Sequence, residues 1–265
     1  MQVSHKGSRF VVLDEILDPA SESAMWAWFQ TQSFGISVPG NWGRRPFDGV
    51  GAYASPSLVI DASAPPAELL GRTLLKAAQL AQDVVGVPGK DWRAVSRTCW
   101  TYPAGAQLSW HNDSAGDQTG AYVWYVHPQW GASWGGELLI VDEPASQLVT
   151  RAIESGLVRP GETESPLASE AESKVLFSAL DPVCVQARPN RMVLLMRDTF
   201  HTVRRVDTSA GDRSRCSVAG FFLTMDGASQ VANEEQQSRS TTGTAGLSSQ
   251  LAAHQRAEGR PVQRG

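Results

Sequence analysis

The sequence predicts a mostly β fold of the α+β class, a sandwich or barrel with helices packed outside it. Three observations carry this. From about residue 93 short β-type runs dominate: "RTCWTY", "AQLSWHND", "AYVWYVH", "GELLIVD", "KVLFSAL", "NRMVLLM", "HTVRRV" and "SRCSVAGFFLTM", separated by turn chemistry such as "PAG", "WGG" and "SAGD". The clearest helical patterns precede that point, so strands do not alternate with helices as a parallel α/β sheet requires. At 265 residues, 42% hydrophobic and 19% charged, the chain can bury one large core or two small ones.

The elements follow in order. "MQVSHKGSRFVVLDEILD" lacks the apolar stretch and small-residue cleavage site of a secretory leader, and no apolar run has the length of a membrane span. The expectation is a cytoplasmic protein with no membrane partner. "RFVVLDEIL" (9–17) reads as a strand. "SESAMWAWFQTQ" places Met25, Trp26 and Phe29 at helical spacing. Residues 34–58, including "VPGNWGRRPFDGVGAY", form a long loop or loose hairpin. A helix begins near Ser63: Pro65 and Pro66 suit its first turn, and Leu70, Leu74, Ala77 and Ala81 form one stripe. Residues 143–180 interrupt the strand pattern as a polar insertion, with a helix at "ASQLVTRAIESG", ahead of the "PVCVQARPN" strand. Residues 1–226 thus form one domain. Residues 227–265 are a Ser/Thr/Gln/Ala/Gly tail, expected to be poorly ordered and dispensable for ligand binding.

Charge excludes one class of partner. With 23 basic and 27 acidic residues the net charge is -4, and no basic stripe is present to neutralise a phosphate backbone, so nucleic acid is not expected. Cys99, Cys184 and Cys216 are odd in number and form no CxxC pair, so no disulfide framework is expected and each reads as a small buried hydrophobe. The bias to arginine over lysine suggests a GC-rich bacterial coding sequence. The sequence does not set the oligomeric state.

"QLSWHNDSAG" (107–116) raises a sharper question. Along a strand, side chains two apart share a face, so Ser109, His111 and Asp113 would point one way. The competing reading is a polar surface turn with Asp113 as a turn residue. Two ligands on one face leave the far side of a metal open, which suits a catalytic ion and asks for a third ligand from another strand. Of the five histidines, His201 in "RDTFHTVRRV" is the best placed. Two histidines and a carboxylate form the facial triad of non-haem Fe(II) oxygenases. Downstream, "RSRCSVAGFF" carries Arg215 and Ser217 two apart. An arginine fork beside a hydroxyl can grip a carboxylate, as a dicarboxylate co-substrate such as 2-oxoglutarate requires.

In that order these fragments resemble the Fe(II)/2-oxoglutarate-dependent dioxygenases, particularly the prolyl-4-hydroxylase-like branch. "YPAGAQLSWHND", "YVWYVHPQWGASWGGELLIVD", "ARPNRMVLLMRDTFHTVRRV" and "GDRSRCSVAGFF" carry the likeness over about residues 96–224, with a looser match at "FVVLDEILDPA". The resemblance implies a double-stranded β-helix, a cupin-like jelly roll with flanking N-terminal helices. It implies that His111, Asp113 and His201 hold Fe(II), that Arg215 and Ser217 bind 2-oxoglutarate, and that Tyr102 lies beside that co-substrate. O2 would be the second co-substrate, with ascorbate as an optional auxiliary reductant. His127 departs from the pattern, which often has asparagine there. Halogenases of the branch lack the aspartate; Asp113 is present.

The expected reaction is hydroxylation of an unactivated C–H bond with release of succinate and CO2. The substrate would be a small molecule, an amino acid or natural-product intermediate; a peptidyl, prolyl-type target is the alternative within the family. A non-redox cupin-like metal-binding module is the alternative from another class. Desaturation, cyclisation and epimerisation stay open. Trp42, Arg44 and Arg45, together with the 143–180 insertion as a lid, would shape the substrate mouth.

Overall fold

The structure, a computed structural model, describes residues 1–36, 51–60, 67–113, 117–154, 156 and 180–229. Two antiparallel sheets face each other as a jelly roll. The larger has nine strands, in the order β1 (Gln2–Lys6), β2 (Phe10–Asp14), β11 (Met192–Met196), β8 (Gln118–Tyr125), β13 (Arg215–Leu223), β6 (Ala94–Tyr102), β4 (Tyr53–Ala54) and β3 (Gly35–Ile36), with β5 (Leu58–Val59) also on β6. The smaller runs β10 (Val183–Val185), β9 (Leu138–Ile140), β12 (His201–Val203), β7 (Leu108–His111).

Period-two alternation sorts the large sheet's side chains into two cores. Val11, Leu13, Tyr122, Trp124, Met192, Leu194, Cys216 and Val218 face outward onto helices α1 (Pro19–Gln30), α2 (Ala67–Leu80) and α3 (Gln82–Val85). Phe10, Val12, Tyr125, Val193 and Leu195 face inward, and meet Leu108, Leu138, Ile140 and Val203 of the small sheet. Arg215 and Ser217 share the parity of Phe221, which packs against this inner core, so the β13 alternation aims them between the sheets.

The helices have local causes. Asp18 caps α1, accepting from the Ala20 and Ser21 N–H groups at 3.1 and 3.0 Å, with Pro19 in the first turn, where its missing N–H costs nothing. Met25 and Phe29 bury the inner face of α1. Leu70, Leu74, Ala77, Ala78 and Ala81 do the same for the helical region that follows, and truncating a residue like Leu74 costs about 2–5 kcal/mol. A fourth helix, α4 (Ala145–Glu154), lies in the insertion; its Leu148 packs with Val141 and Phe200, and with part-buried Trp110, on the outer side of the small sheet. Among the described residues no helix is long and apolar enough to cross a membrane.

Several expectations change. β1 was not foreseen: it is an edge strand whose five residues are all exposed, so it shows no buried alternation. The loose hairpin is present as the β3–β4 pair, joined to the large sheet through β6. Cys99 and Cys216 are buried, but Cys184 is exposed because it occupies the solvent face of β10, the edge of the small sheet. Trp42, Arg44, Arg45, the "KVLFSA" stretch and the tail from residue 230 lie outside the described residues.

Candidate active site

The small sheet brings two histidines together by register. His201 of β12 pairs directly with His111 of β7, and their ring centroids are 4.2 Å apart. Each Nδ1 meets a backbone carbonyl: Ser109 O at 2.8 Å from His111, and Thr199 O at 2.9 Å from His201. A carbonyl can only accept, so Nδ1 carries the hydrogen and a neutral ring keeps its lone pair on Nε2. Both Nε2 atoms point at Asp113, at 3.6 Å to Oδ1 from His111 and 3.4 Å to Oδ2 from His201. Burial, then the neighbouring His201, push the His111 pKa down to about 4 against the pull of Asp113. The His111–Asp113 contact is therefore not an ion pair at neutral pH. Three acceptor atoms within 4.8 Å of one another converge, a donor set of the kind that can hold a divalent cation.

Asp113 reaches this point differently from the strand reading. β7 ends at His111, and Asp113 lies in the following loop. The Gln118 side chain donates to its backbone carbonyl, tying that loop to β8. The carbonyl contacts on both imidazoles orient the rings as outer partners of metal ligands do.

On the large sheet, Arg215 pairs with Tyr102 of β6, and Ser217 with Tyr125 of β8. Arg215 is 1% exposed. Its Nε donates to Gly136 O at 2.8 Å and its Nη1 to Ser217 Oγ at 3.4 Å. The guanidinium lies over the rings of Tyr125 and Tyr102, 4.8 and 5.1 Å from their centroids. Among the described residues, Arg215 Nη2 and the Tyr125 hydroxyl are the buried side-chain polar atoms with no hydrogen-bond partner. Leaving a charged donor unmet in the interior is costly, and an anion removes that cost. Burial raises the Tyr102 hydroxyl above its usual pKa, Arg215 opposes this and Asp113 adds to it, so Tyr102 senses both halves of the site.

The "WGG" turn supports the arginine. Gly136 has φ +71°, and a Cβ there would come within 2.8 Å of Arg215 Cδ; Gly135 has φ +70°, and its Cβ would collide with Arg205 O at 2.2 Å. Arg213, two residues before Arg215, has a different setting. It precedes β13, is exposed, and stacks over Trp134 at 4.9 Å. Tyr125 and Gly136 are the functional candidates the sequence reading missed. The β8 alternation could have placed Tyr125 inward with Ala121, whereas the Gly136 carbonyl contact gives no sequence signal.

His127 is buried close to Arg215. Burial, reinforced by the charge of Arg215, pushes its pKa down to about 4 despite its contact with Ala187. The neutral ring donates from Nε2 to Ala187 O at 2.8 Å and accepts the Cys216 N–H at Nδ1, 3.1 Å. Nδ1 also lies 3.0 Å from Cys216 O, a contact only a protonated ring could turn into a hydrogen bond. Because the folded pKa lies below the ordinary 6.5, the unfolded chain binds the extra proton first. The stability His127 contributes is therefore full above 6.5 and is lost as pH falls through about 4, a swing of roughly 3 kcal/mol. His127→Asn is expected to reduce the fall of Tm over that window, leaving the part due to His111. An unchanged slope would contradict this.

Comparison with known proteins agrees with this geometry. Residues 98–223 match the family model of the 2OG-Fe(II) oxygenase superfamily. No curated protein matches in a sequence search. Among solved structures, the chain is similar to a Pseudomonas putida prolyl-4-hydroxylase (15% identity, 82% of this chain and 93% of that one, TM-score 0.52). It is similar to a Trichoplax adhaerens prolyl hydroxylase in complex with a hypoxia inducible factor oxygen degradation domain peptide fragment (13%, 84% and 87%, TM-score 0.53). It is also similar to HygX from Streptomyces hygroscopicus with nickel, 2-oxoglutarate and hygromycin B bound (14%, 83% and 84%, TM-score 0.52). At these identities the likeness speaks to fold. The matched region 98–223 includes the His111/Asp113/His201 cluster together with Arg215 and Ser217, and the chain shares its fold with these prolyl hydroxylase and HygX structures.

Proposed function

We propose that this protein hydroxylates an unactivated C–H bond of a small molecule, an amino acid or natural-product intermediate, using O2 and 2-oxoglutarate. His111, Asp113 and His201 hold Fe(II), and Arg215, Ser217 and the Tyr125 hydroxyl receive the distal carboxylate of 2-oxoglutarate. The observation that carries this is the buried guanidinium of Arg215, whose Nη2 has no partner and which faces the same inter-sheet space as the triad. The donor set fits a divalent cation with open positions, and the orphaned donors fit a carboxylate.

Bound iron supplies redox chemistry: O2 is reduced as 2-oxoglutarate is converted to succinate and CO2, and one oxygen enters the substrate. The protein's own residues do the rest. The Ser109 and Thr199 carbonyls fix the two imidazoles, with both Nε2 atoms turned toward Asp113. Tyr102, Tyr125 and the inner core exclude water around the Arg215 grip, which strengthens its hold on an anion. A non-redox cupin-like module does not need an arginine and hydroxyls aimed inward, and the family match favours the enzyme.

The likeness to HygX, solved with hygromycin B, supports a small-molecule substrate; the peptide-bound relative supplies the contrasting outcome of the test. Candidate amino acids, natural-product intermediates and proline-containing peptides are incubated with Fe(II), 2-oxoglutarate, O2 and ascorbate, and the products are weighed by mass spectrometry. The expected result is a gain of one oxygen on a small molecule. A gain confined to peptides, or a loss of two hydrogens without oxygen gain, would contradict the proposed substrate class or reaction.

A further inference from the structure

We infer that His127 and Trp130 form a brace that sets the position of Arg215 from outside the co-substrate pocket, an inference that rests on Arg215 being the 2-oxoglutarate grip. The brace holds the arginine at both ends. At its backbone, the β8–β13 pairing runs out at Tyr125, opposite Ser217. One residue further on, the Cys216 N–H donates to the His127 ring at 3.1 Å instead of to a strand carbonyl, and Val126 N–H returns a bond to Cys216 O at 3.1 Å. At its head, Arg215 Nε donates to Gly136 O, and the preceding Gly135 carbonyl is held by Trp130 Nε1 at 2.9 Å. The His127 and Trp130 rings contact each other at a centroid distance of 5.0 Å, closing the loop between the two anchors.

Neither residue is among those proposed to touch iron or co-substrate. His127 is 2% exposed, and its other ring nitrogen is spent on Ala187 O. This is a great deal of buried polar machinery around one arginine. Its mechanical consequence is specific: the guanidinium is fixed before ligand arrives, so less conformational freedom is lost on binding. The brace should therefore govern 2-oxoglutarate affinity and leave the His111/Asp113/His201 cluster, whose histidines lie on the other sheet, alone.

The test is calorimetric titration of 2-oxoglutarate into the full chain loaded with Ni(II), which removes turnover from the readout, with Ni(II) affinity measured separately. His127→Leu keeps bulk and removes both ring nitrogens; its 2-oxoglutarate Kd is expected to rise about 5–20-fold. His127→Asn places an amide oxygen where Nδ1 accepts, and should stay within about threefold of wild type. Trp130→Phe keeps an aromatic contact but loses the Gly135 bond, and should weaken binding about 3–10-fold. Ni(II) affinity should not move in any of the three. A wild-type 2-oxoglutarate Kd for His127→Leu, or an equal fall in Ni(II) affinity, would overturn the brace. If His127→Leu does not fold, a wild-type Kd for Trp130→Phe would overturn it. Arg215→Ala in the same titration separates the two levels: unchanged affinity there removes the grip and the brace together, whereas weakened affinity there with unchanged His127→Leu removes the brace alone.

Discussion

Asp113→Ala is expected to abolish iron-dependent turnover, with at least ~100-fold weaker metal binding, while leaving Tm close to wild type. The two imidazoles are the rigid part of the cluster: they sit on paired strands and their Nδ1 atoms are pinned to carbonyls. Asp113 contributes the only negative charge of the three and sits past the end of β7, with a side chain 16% exposed. Removing it takes away one of the three converging ligand atoms and disturbs no strand pairing. The measurement is Fe(II) or Ni(II) titration alongside thermal melting. Wild-type metal affinity in Asp113→Ala would remove Asp113 from the cluster. A collapse of Tm would instead make it a structural residue of the loop.

Arg215→Ala should raise the 2-oxoglutarate requirement roughly tenfold to hundredfold, the loss of about 1.5–3 kcal/mol expected for a charge-assisted contact. Arg213→Ala should be close to neutral. The two arginines are two residues apart, yet the structure separates them sharply. Arg215 is enclosed by Gly136, Ser217, Tyr102 and Tyr125, whereas Arg213 lies exposed over Trp134 before the strand begins. The reverse ranking in a 2-oxoglutarate titration would exchange their roles.

Much of this site was legible because β chemistry is periodic. HxD and RxS each place two functional groups at a spacing of two, and the β13 alternation does aim Arg215 and Ser217 to the same interior. The pairing of His201 with His111 is a different matter. They are far apart in sequence, and their contact depends on β12 and β7 being neighbours in the small sheet. Order of motifs, read against a family pattern, stood in for that tertiary fact. Where alternation fails, the reading failed with it. Asp113 was placed on a strand that stops at His111. β1, exposed along its whole length, has no apolar period to read. Tyr125 carries no motif in "YVWYVH", and the absence of a partner for its buried hydroxyl is what marks it out.

The most direct test of the two-part site is succinate formation by the purified chain supplied with Fe(II), 2-oxoglutarate and O2 but no primary substrate. Succinate should form slowly in the wild type, should require all three components, and should disappear in Asp113→Ala. No succinate from protein that demonstrably binds both metal and 2-oxoglutarate, or an undiminished rate in Asp113→Ala, would contradict the assignment of the His111/Asp113/His201 cluster and the Arg215 grip as one catalytic centre.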